Sequence, residues 1–180
     1  MAKMSQRFGL TRYEADEHYK DALQAYERKK MDEAILAMEQ AIELLPSNAE
    51  YYAARGFFYL EDGVIDKAGE DFERALTLHA YEPLAHYGRG MIAYNARNWD
   101  EALAHFNDAY RADPDRVETL YYLAIVHHHK RENDLASQVM SRAAMMMEKR
   151  EDKRQRDADR WIKEFDRLAE EQRQLTSGSS

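Results

Sequence analysis

Sliding the 180-residue sequence against itself brings Ala15 to Asn48, Ala49 to Glu82, Pro83 to Arg116 and Val117 to Arg150 into register without a gap, each stretch 34 residues long. A unit of that size is one supersecondary element. It cannot cover its own apolar face, so the copies have to stack on one another. The segments DEAILAMEQAIELLP, DKAGEDFERALTLHA, DEALAHFNDAYRADP and DLASQVMSRAAMMME share Asp at position 18 of the unit and Ala at positions 20 and 27. Position 24 is Met38, Phe72, Phe106 and Met140, always large, and position 8 is Ala22, Gly56, Gly90 and Ala124, always small.

Within each unit the apolar and small residues recur at steps of three and four, as Ala34, Met38, Ala41 and Leu45 do, which is the period of an amphipathic helix. Short polar stretches, ERKKM, EDGVI, NARNW and KREN, divide each unit in two and have the length of a turn between antiparallel helices. Asp32, Asp66, Asp100 and Asp134 follow those turns and are predicted to cap the second helices, their carboxylates accepting from unpaired N–H groups. Small residues at positions 8, 20 and 27 let the paired helices approach, and the large residue at position 24 fills the space between them. Gly69, inside a predicted helix, is expected to mark another close helix contact.

The period of 34 and these small and large positions resemble the tetratricopeptide repeat family. The resemblance implies an all-α, right-handed superhelical solenoid of antiparallel helix pairs, with repeats at 15–48, 49–82, 83–116 and 117–150. Residues 1–14 read as an N-terminal segment leading into the first helix. Thr11 and Glu14, at capping-box spacing, place that helix's start near Arg12. Residues 151–175 carry Trp161, Phe165, Leu168 and Leu175 on one stripe, with Ile162 and Ala169 alongside. This is an amphipathic helix whose two readings are a cap over the fourth repeat and a dimer seam. No Pro or Gly separates Leu135 from Leu175, so the last repeat helix could run straight into it. Residues 176–180 read as a flexible tail.

Charge narrows the partners. The chain carries 26 Lys and Arg against 34 Asp and Glu, a net of −8, which disfavours a phosphate backbone or an anionic membrane, so no nucleic acid is expected. The acidity sits in residues 15–147, with 14 basic and 24 acidic side chains, and favours a partner with basic flanks. The absence of cysteine excludes disulfides and thiolate chemistry and agrees with a reducing, cytoplasmic setting. The first residues contain no apolar core of a secretory signal, and no apolar run is long enough for membrane insertion.

In the family the first helix of each repeat lines a concave surface, with positions 2, 5, 9, 12 and 13 facing the groove. By resemblance the peptide-binding groove here comprises Tyr19, Leu23, Tyr26, Phe57, Leu60, Tyr87, Met91, Tyr94, Tyr121, Ile125 and His128, with an acidic rim of Asp16, Glu27, Glu50, Glu61 and Glu118. Such a row exceeds what a monomer normally leaves exposed, and Tyr and Met suit an adaptable protein-binding surface. Family members that hold the C-terminal carboxylate of heat-shock chaperones use a clamp of Lys, Asn, Asn, Lys and Arg. The matching positions here are Tyr19, Leu23, Ala54, Leu84 and Gly88, or one repeat later Ala53, Phe57, Gly88, Glu118 and Tyr122. Neither frame supplies a cation or an amide, so the heat-shock carboxylate clamp is rejected. An apolar groove with an acidic rim is more similar to members that hold an amphipathic or extended apolar segment, including secretion and pilus-assembly accessory chaperones.

No catalytic motif competes with this reading. HExxH, a Gly-rich phosphate loop and GxSxG are all absent, and no cofactor or metal is expected. His127, His128 and His129 are consecutive on a helix and point about 100° apart, so they cannot chelate one ion together. The triplet Met145, Met146 and Met147 is packing for the same reason. The sequence therefore predicts a non-catalytic protein-interaction scaffold or adaptor that takes an apolar or amphipathic segment of another protein. A self-assembling homodimer formed through the Trp161, Phe165 and Leu168 stripe, or through the groove, is the alternative.

Overall fold

In a computed structural model that describes residues 2–177, all regular structure is helical. The helices are α1 (Ala2–Glu27), α2 (Met31–Leu44), α3 (Ala49–Glu61), α4 (Ile65–Leu78), α5 (Pro83–Asn95), α6 (Trp99–Ala112), α7 (Val117–His129), α8 (Asn133–Lys149) and α9 (Gln155–Ser177). The odd helices α3, α5 and α7 begin 34 residues apart, at Ala49, Pro83 and Val117. The chain divides into two compact lobes, Met1–Ile92 and Ala93–Ser180, with the division falling inside α5.

Every first helix of a pair ends on the same device. Lys29, Gly63, Arg97 and Arg131 have φ of 59°, 82°, 58° and 62°. At each, the left-handed residue donates three residues back and its successor donates five back, as in Lys29 N–H to Tyr26 O and Lys30 N–H to Ala25 O. This is the Schellman stop, which satisfies carbonyls the helix leaves open. Glycine supplies it without a Cβ penalty only at Gly63. The turn sets the next helix start earlier than the sequence suggested. The residues preceding the second helices are Lys30, Val64, Asn98 and Glu132, so the four aspartates stand one place inside the first turn and do not cap. Their charge there still favours the positive end of the helix. Asn98 is a true cap, accepting from Glu101 N–H, and Asn48 does the same for Glu50 N–H at α3.

Three further expectations are corrected. Thr11 and Glu14 do not start α1, which already runs from Ala2, so residues 1–14 are helical from the second residue on. The last repeat helix does not run into the C-terminal one: α8 stops at Lys149 and α9 starts at Gln155, and Glu151 takes the left-handed conformation at φ 53°. Asp152 N–H closes onto Met147 O and the Asp152 carboxylate accepts from Arg154 N–H, so a Schellman stop and an Asp cap replace the missing Gly or Pro. Thr176 and Ser177 belong to α9, and the remainder of the tail, 178–180, lies outside the described residues.

The cores follow the periodic positions. In the first lobe, Ala15, Ala22, Ala34, Met38, Ala41, Tyr51, Ala54 and Phe58 form one cluster, and Ala53, Ala68, Phe72, Ala75 and Ala85 a second. Phe72 is fully buried with its ring between two glycine backbones. A Cβ on Gly56 would stand 2.9 Å from its Cδ1, and one on Gly88 would stand 2.5 Å from its Cε1 and closer still to Cζ and Cε2. Gly69 is different, because its only neighbour is Arg89 Nη1 at 4.0 Å, so close packing is not its reason. Nothing in the structure explains it.

Between α3 and α4 the first lobe also holds a bidentate ion pair. Arg55 donates Nε to Asp71 Oδ2 and Nη2 to Asp71 Oδ1, both at 2.8 Å, with Asp71 buried and the guanidinium within 6 Å of the Tyr52 and Tyr59 ring centres. In the second lobe, Val117, Leu120, Ala124, Met140, Ala143, Met147, Ala158 and Phe165 form one cluster to which α7, α8 and α9 all contribute.

Candidate peptide-binding face

Helices α1 and α3 carry the first-lobe part of the predicted row, and tyrosine hydroxyls hold the two in register. Tyr51 O–H donates to Asp16 Oδ1 at 2.6 Å, and Tyr19 O–H donates to Glu50 Oε1 at 3.1 Å. Burial and then the neighbouring carboxylate push Tyr51 up to about 12 and Tyr19 higher, so both phenols remain donors throughout the ordinary pH range. The Tyr19 and Tyr51 rings lie 5.4 Å apart, and Tyr26 stacks on Phe58 at 5.1 Å while meeting Phe57 edge-on at 5.9 Å. These rings are partly structural, as T-shaped and offset pairs in a core are. What they leave towards solvent is Leu23, 40% exposed, beside half-buried Tyr26, Phe57 and Leu60. Glu27, Glu50 and Glu61 are exposed around them and Asp16 is half-buried.

The second-lobe part of the row is occupied by the protein itself. Arg154, just before α9, donates Nη2 to Glu118 Oε1 at 2.8 Å. Burial alone would raise the Glu118 carboxyl, but the guanidinium outweighs it and holds the group below its ordinary value. Trp161 Nε1–H donates to the Tyr121 hydroxyl at 3.0 Å. His128 lies with its ring centre 5.1 Å from Phe165 and 6.0 Å from Trp161, its Nδ1 2.8 Å from Asn133 Oδ1. Ile125 is 5% exposed. All four of the fourth repeat's predicted groove residues, Glu118, Tyr121, Ile125 and His128, are thus buried or engaged within the lobe, three of them by residues 154–165.

The stripe on α9 accounts for this. Ala158, Phe165 and Ala169 are fully buried, while Trp161, Ile162 and Leu168 are half-buried. Leu175, placed on the same stripe by its spacing, is 74% exposed. Further pairs fasten the helix: Ser137 Oγ–H to Asp166 Oδ1 at 2.6 Å and Gln172 to Arg131 O at 3.3 Å. Two clefts flank it, one of about 470 Å³ lined by Tyr121, Asp157, Arg160, Trp161 and Glu164, and one of about 190 Å³ lined by Glu118, Tyr121, Tyr122, Arg154 and Asp157. Their carboxylates are mostly answered: Asp157 pairs with Arg160, and Glu164 with Arg167 at 2.6 Å.

The remaining candidates sort by burial. Tyr87 is buried and Met91 half-buried. Tyr94 sits in an aromatic group, edge-on to Tyr122 at 5.3 Å and to Trp99 at 5.6 Å, so its ring is a packing element of its lobe. The three histidines diverge as their spacing requires. His127 Nδ1 lies 2.6 Å from Glu132 Oε2, His128 turns under α9, and His129 stacks on Trp99 at 4.1 Å and 8°. Burial, then His128 and Arg97, lower the His129 pKa. Met147 is buried and Met145 58% exposed, so that triplet too faces three ways. The residue that sequence reasoning missed is Arg154, which closes onto Glu118 from a turn that carries no sequence signal.

No helix among the described residues is long and apolar enough to cross a membrane. The family model described as tetratricopeptide repeat matches residues 87–152. A TPR repeat-containing protein of Methanocaldococcus jannaschii is 25% identical over 95 residues, which is 53% of this chain and 17% of that protein. The chain spans less than a fifth of the length of the curated relatives it matches. Among solved structures, Pseudomonas aeruginosa pilF superposes with a TM-score of 0.68 at 17% identity, over 86% of this chain and 78% of that one. The first TPR of Spaghetti bound to an HSP90 peptide superposes with a TM-score of 0.61 at 19% identity, over 66% and 96%. These structural likenesses are of fold.

Proposed function

Since the chain belongs to the tetratricopeptide repeat family, whose fold supports protein–protein interaction scaffolds and is typically non-catalytic, we propose that it binds an apolar or amphipathic segment of another protein on the face formed by α1 and α3. The observation that carries this reading is the contrast between the lobes. In the second lobe the corresponding face is satisfied internally by α9 and Arg154. In the first lobe Leu23, Tyr26, Phe57 and Leu60 keep apolar surface available, ringed by exposed Glu27, Glu50 and Glu61. Apolar contact supplies the residence time, and the carboxylates speed the approach of a segment with basic flanks.

The partner differs from the HSP90 peptide seen on the Spaghetti domain. At the clamp positions this chain has Tyr19, Leu23, Ala54, Leu84 and Gly88, none of which donates a charge-assisted bond to a terminal carboxylate. Likeness to pilF at 17% identity is one of fold and carries no secretion or pilus-assembly role.

The test is affinity capture with the full chain beside Leu23→Glu, a change at an exposed site, with identification of the bound proteins and titration of the segment that binds. Capture by the wild type, lost or weakened at least tenfold by Leu23→Glu and weakened by salt, supports the reading. An unchanged set of partners with Leu23→Glu overturns it.

A further inference from the structure

The turn between α8 and α9 is made from residues that would equally well continue a helix. From Asn133 to Ser177 the sequence has no Gly and no Pro, and Arg150, Glu151, Lys153 and Arg154 are good helix formers. The break exists because Glu151, a residue with a Cβ, is held at φ 53°. Its fastenings are the backbone bonds from Arg150, Glu151 and Asp152 N–H onto Met147 O and Glu148 O, the Asp152 carboxylate on Arg154, Arg154 on Glu118 and Arg150 on Asp115 O. By contrast α9 is firmly docked, with Ala158, Phe165 and Ala169 fully buried and polar pairs from Trp161 to Tyr121 and from Ser137 to Asp166.

We infer that α9 is exchanged between two copies of this chain, residues 150–154 straightening so that α8 and α9 form one helix and each α9 docks on the other copy's α7 and α8. The contacts between α9 and the helices α7 and α8 join residues before the turn to residues after it, so a second copy's α9 remakes each of them without change, and only the bonds from Arg150 and Arg154 start in the turn itself. Only the turn itself differs between the closed monomer and the exchanged dimer, and there the dimer replaces two left-handed residues by helical ones. No foreign helix reproduces the buried set so completely, which is why the occupant is a second copy. The inference is independent of what the face on α1 and α3 binds.

The chain lacks cysteine, so a pair can be introduced without background. Ser137 Oγ and Asp166 Oδ1 are 2.6 Å apart, which makes Ser137→Cys with Asp166→Cys a reporter of which chain's α9 is docked. The double variant is refolded from urea at micromolar and at millimolar chain concentration, oxidised, and resolved on a non-reducing gel. Wild type and Glu151→Gly are compared in parallel by size exclusion with light scattering, which needs no cysteine. Exchange predicts cross-links within one chain at low concentration and between chains at high concentration. Glu151→Gly favours the closed turn about tenfold per turn and so moves the dimerisation midpoint up about a hundredfold, two turns being involved per dimer. Cross-links within one chain at every concentration overturn the inference, as does a dimer whose α9 helices stay linked to their own α8. A dimerisation midpoint unmoved by Glu151→Gly overturns it as well.

Discussion

Replacing Gly88 by alanine tests whether glycine in these helices is a packing requirement or an accident. A Gly to Ala change inside a helix ordinarily gains about 1 kcal/mol from propensity. At Gly88 the new methyl would fall 2.5 Å from Phe72 Cε1 and nearer to two other ring atoms, against the 3.5–4.0 Å of a normal carbon contact. The ring would have to retreat by 1 Å or more, and it has nowhere to go, because Gly56 backs its other edge closely enough that a Cβ there would stand 2.9 Å away. Overpacking of this kind costs typically 1–3 kcal/mol. With the site closed on both sides we take about 3, which leaves a net loss of about 2 kcal/mol. With a urea slope of about 2 kcal/mol/M, the midpoint falls by about 1 M. Far-UV circular dichroism is the right probe, since Trp99 and Trp161 both lie in the other lobe. Gly69→Ala is the matched control, with open space around it, and should raise stability by about 1 kcal/mol. Phe72→Leu should cost less in the Gly88→Ala background than alone, a coupling of about 1 kcal/mol. A Gly88→Ala midpoint at or above wild type would refute the packing argument.

At the left-handed turn residues, Lys29→Gly, Arg97→Gly and Arg131→Gly should each stabilise the chain by about 1 kcal/mol, while Gly63→Ala should cost a similar amount, both read from urea midpoints. Phe165→Ala empties a fully buried site and should cost about 3–5 kcal/mol, with amide exchange in α9 accelerating more than in α1. Hydrogen bonds from Arg154 hold the Asp152 carboxyl at about 2 against an ordinary 3.8. Because the folded value is the lower one, its contribution is complete above the ordinary value and is lost as pH falls through about 2. At this screened surface that amounts to less than about 1 kcal/mol, and Asp152→Asn should flatten the acid limb of a stability–pH curve.

The parts of the fold legible in the sequence are those that depend on a repeated pattern. The alanines at positions 20 and 27 of each unit, Ala34 and Ala41 in the first, have to face inward with Met38 between them for any copy to stack, so the helix pairs could be read. The turns were less legible because their geometry is carried by backbone: only Gly63 among the four left-handed residues announces itself, and misplacing those turns shifted the second helices onto their aspartates. The break before α9 left no trace at all, since Glu151 and Arg154 belong as readily to a helix. The candidate face divided in the same way. Its residues could be named from position, but an apolar stripe such as Trp161, Ile162 and Phe165 does not say which surface it will cover. Covering Tyr121 and His128 was a tertiary outcome.

A stack of similar repeats faces a hazard that a single closed core does not, because a first helix that slips onto another repeat's second helix remakes most of its contacts. The ion pair between Arg55 and Asp71 acts against that slip. In the other repeats the positions matching Asp71 are Ala37, His105 and Val139, so a mis-stacked α3 would meet no carboxylate at the position where its guanidinium is received. Removing one partner of a buried pair costs about 3–5 kcal/mol. A bond that adds little net stability when correctly made thus serves as an address label, telling α3 which of several look-alike helices is its own.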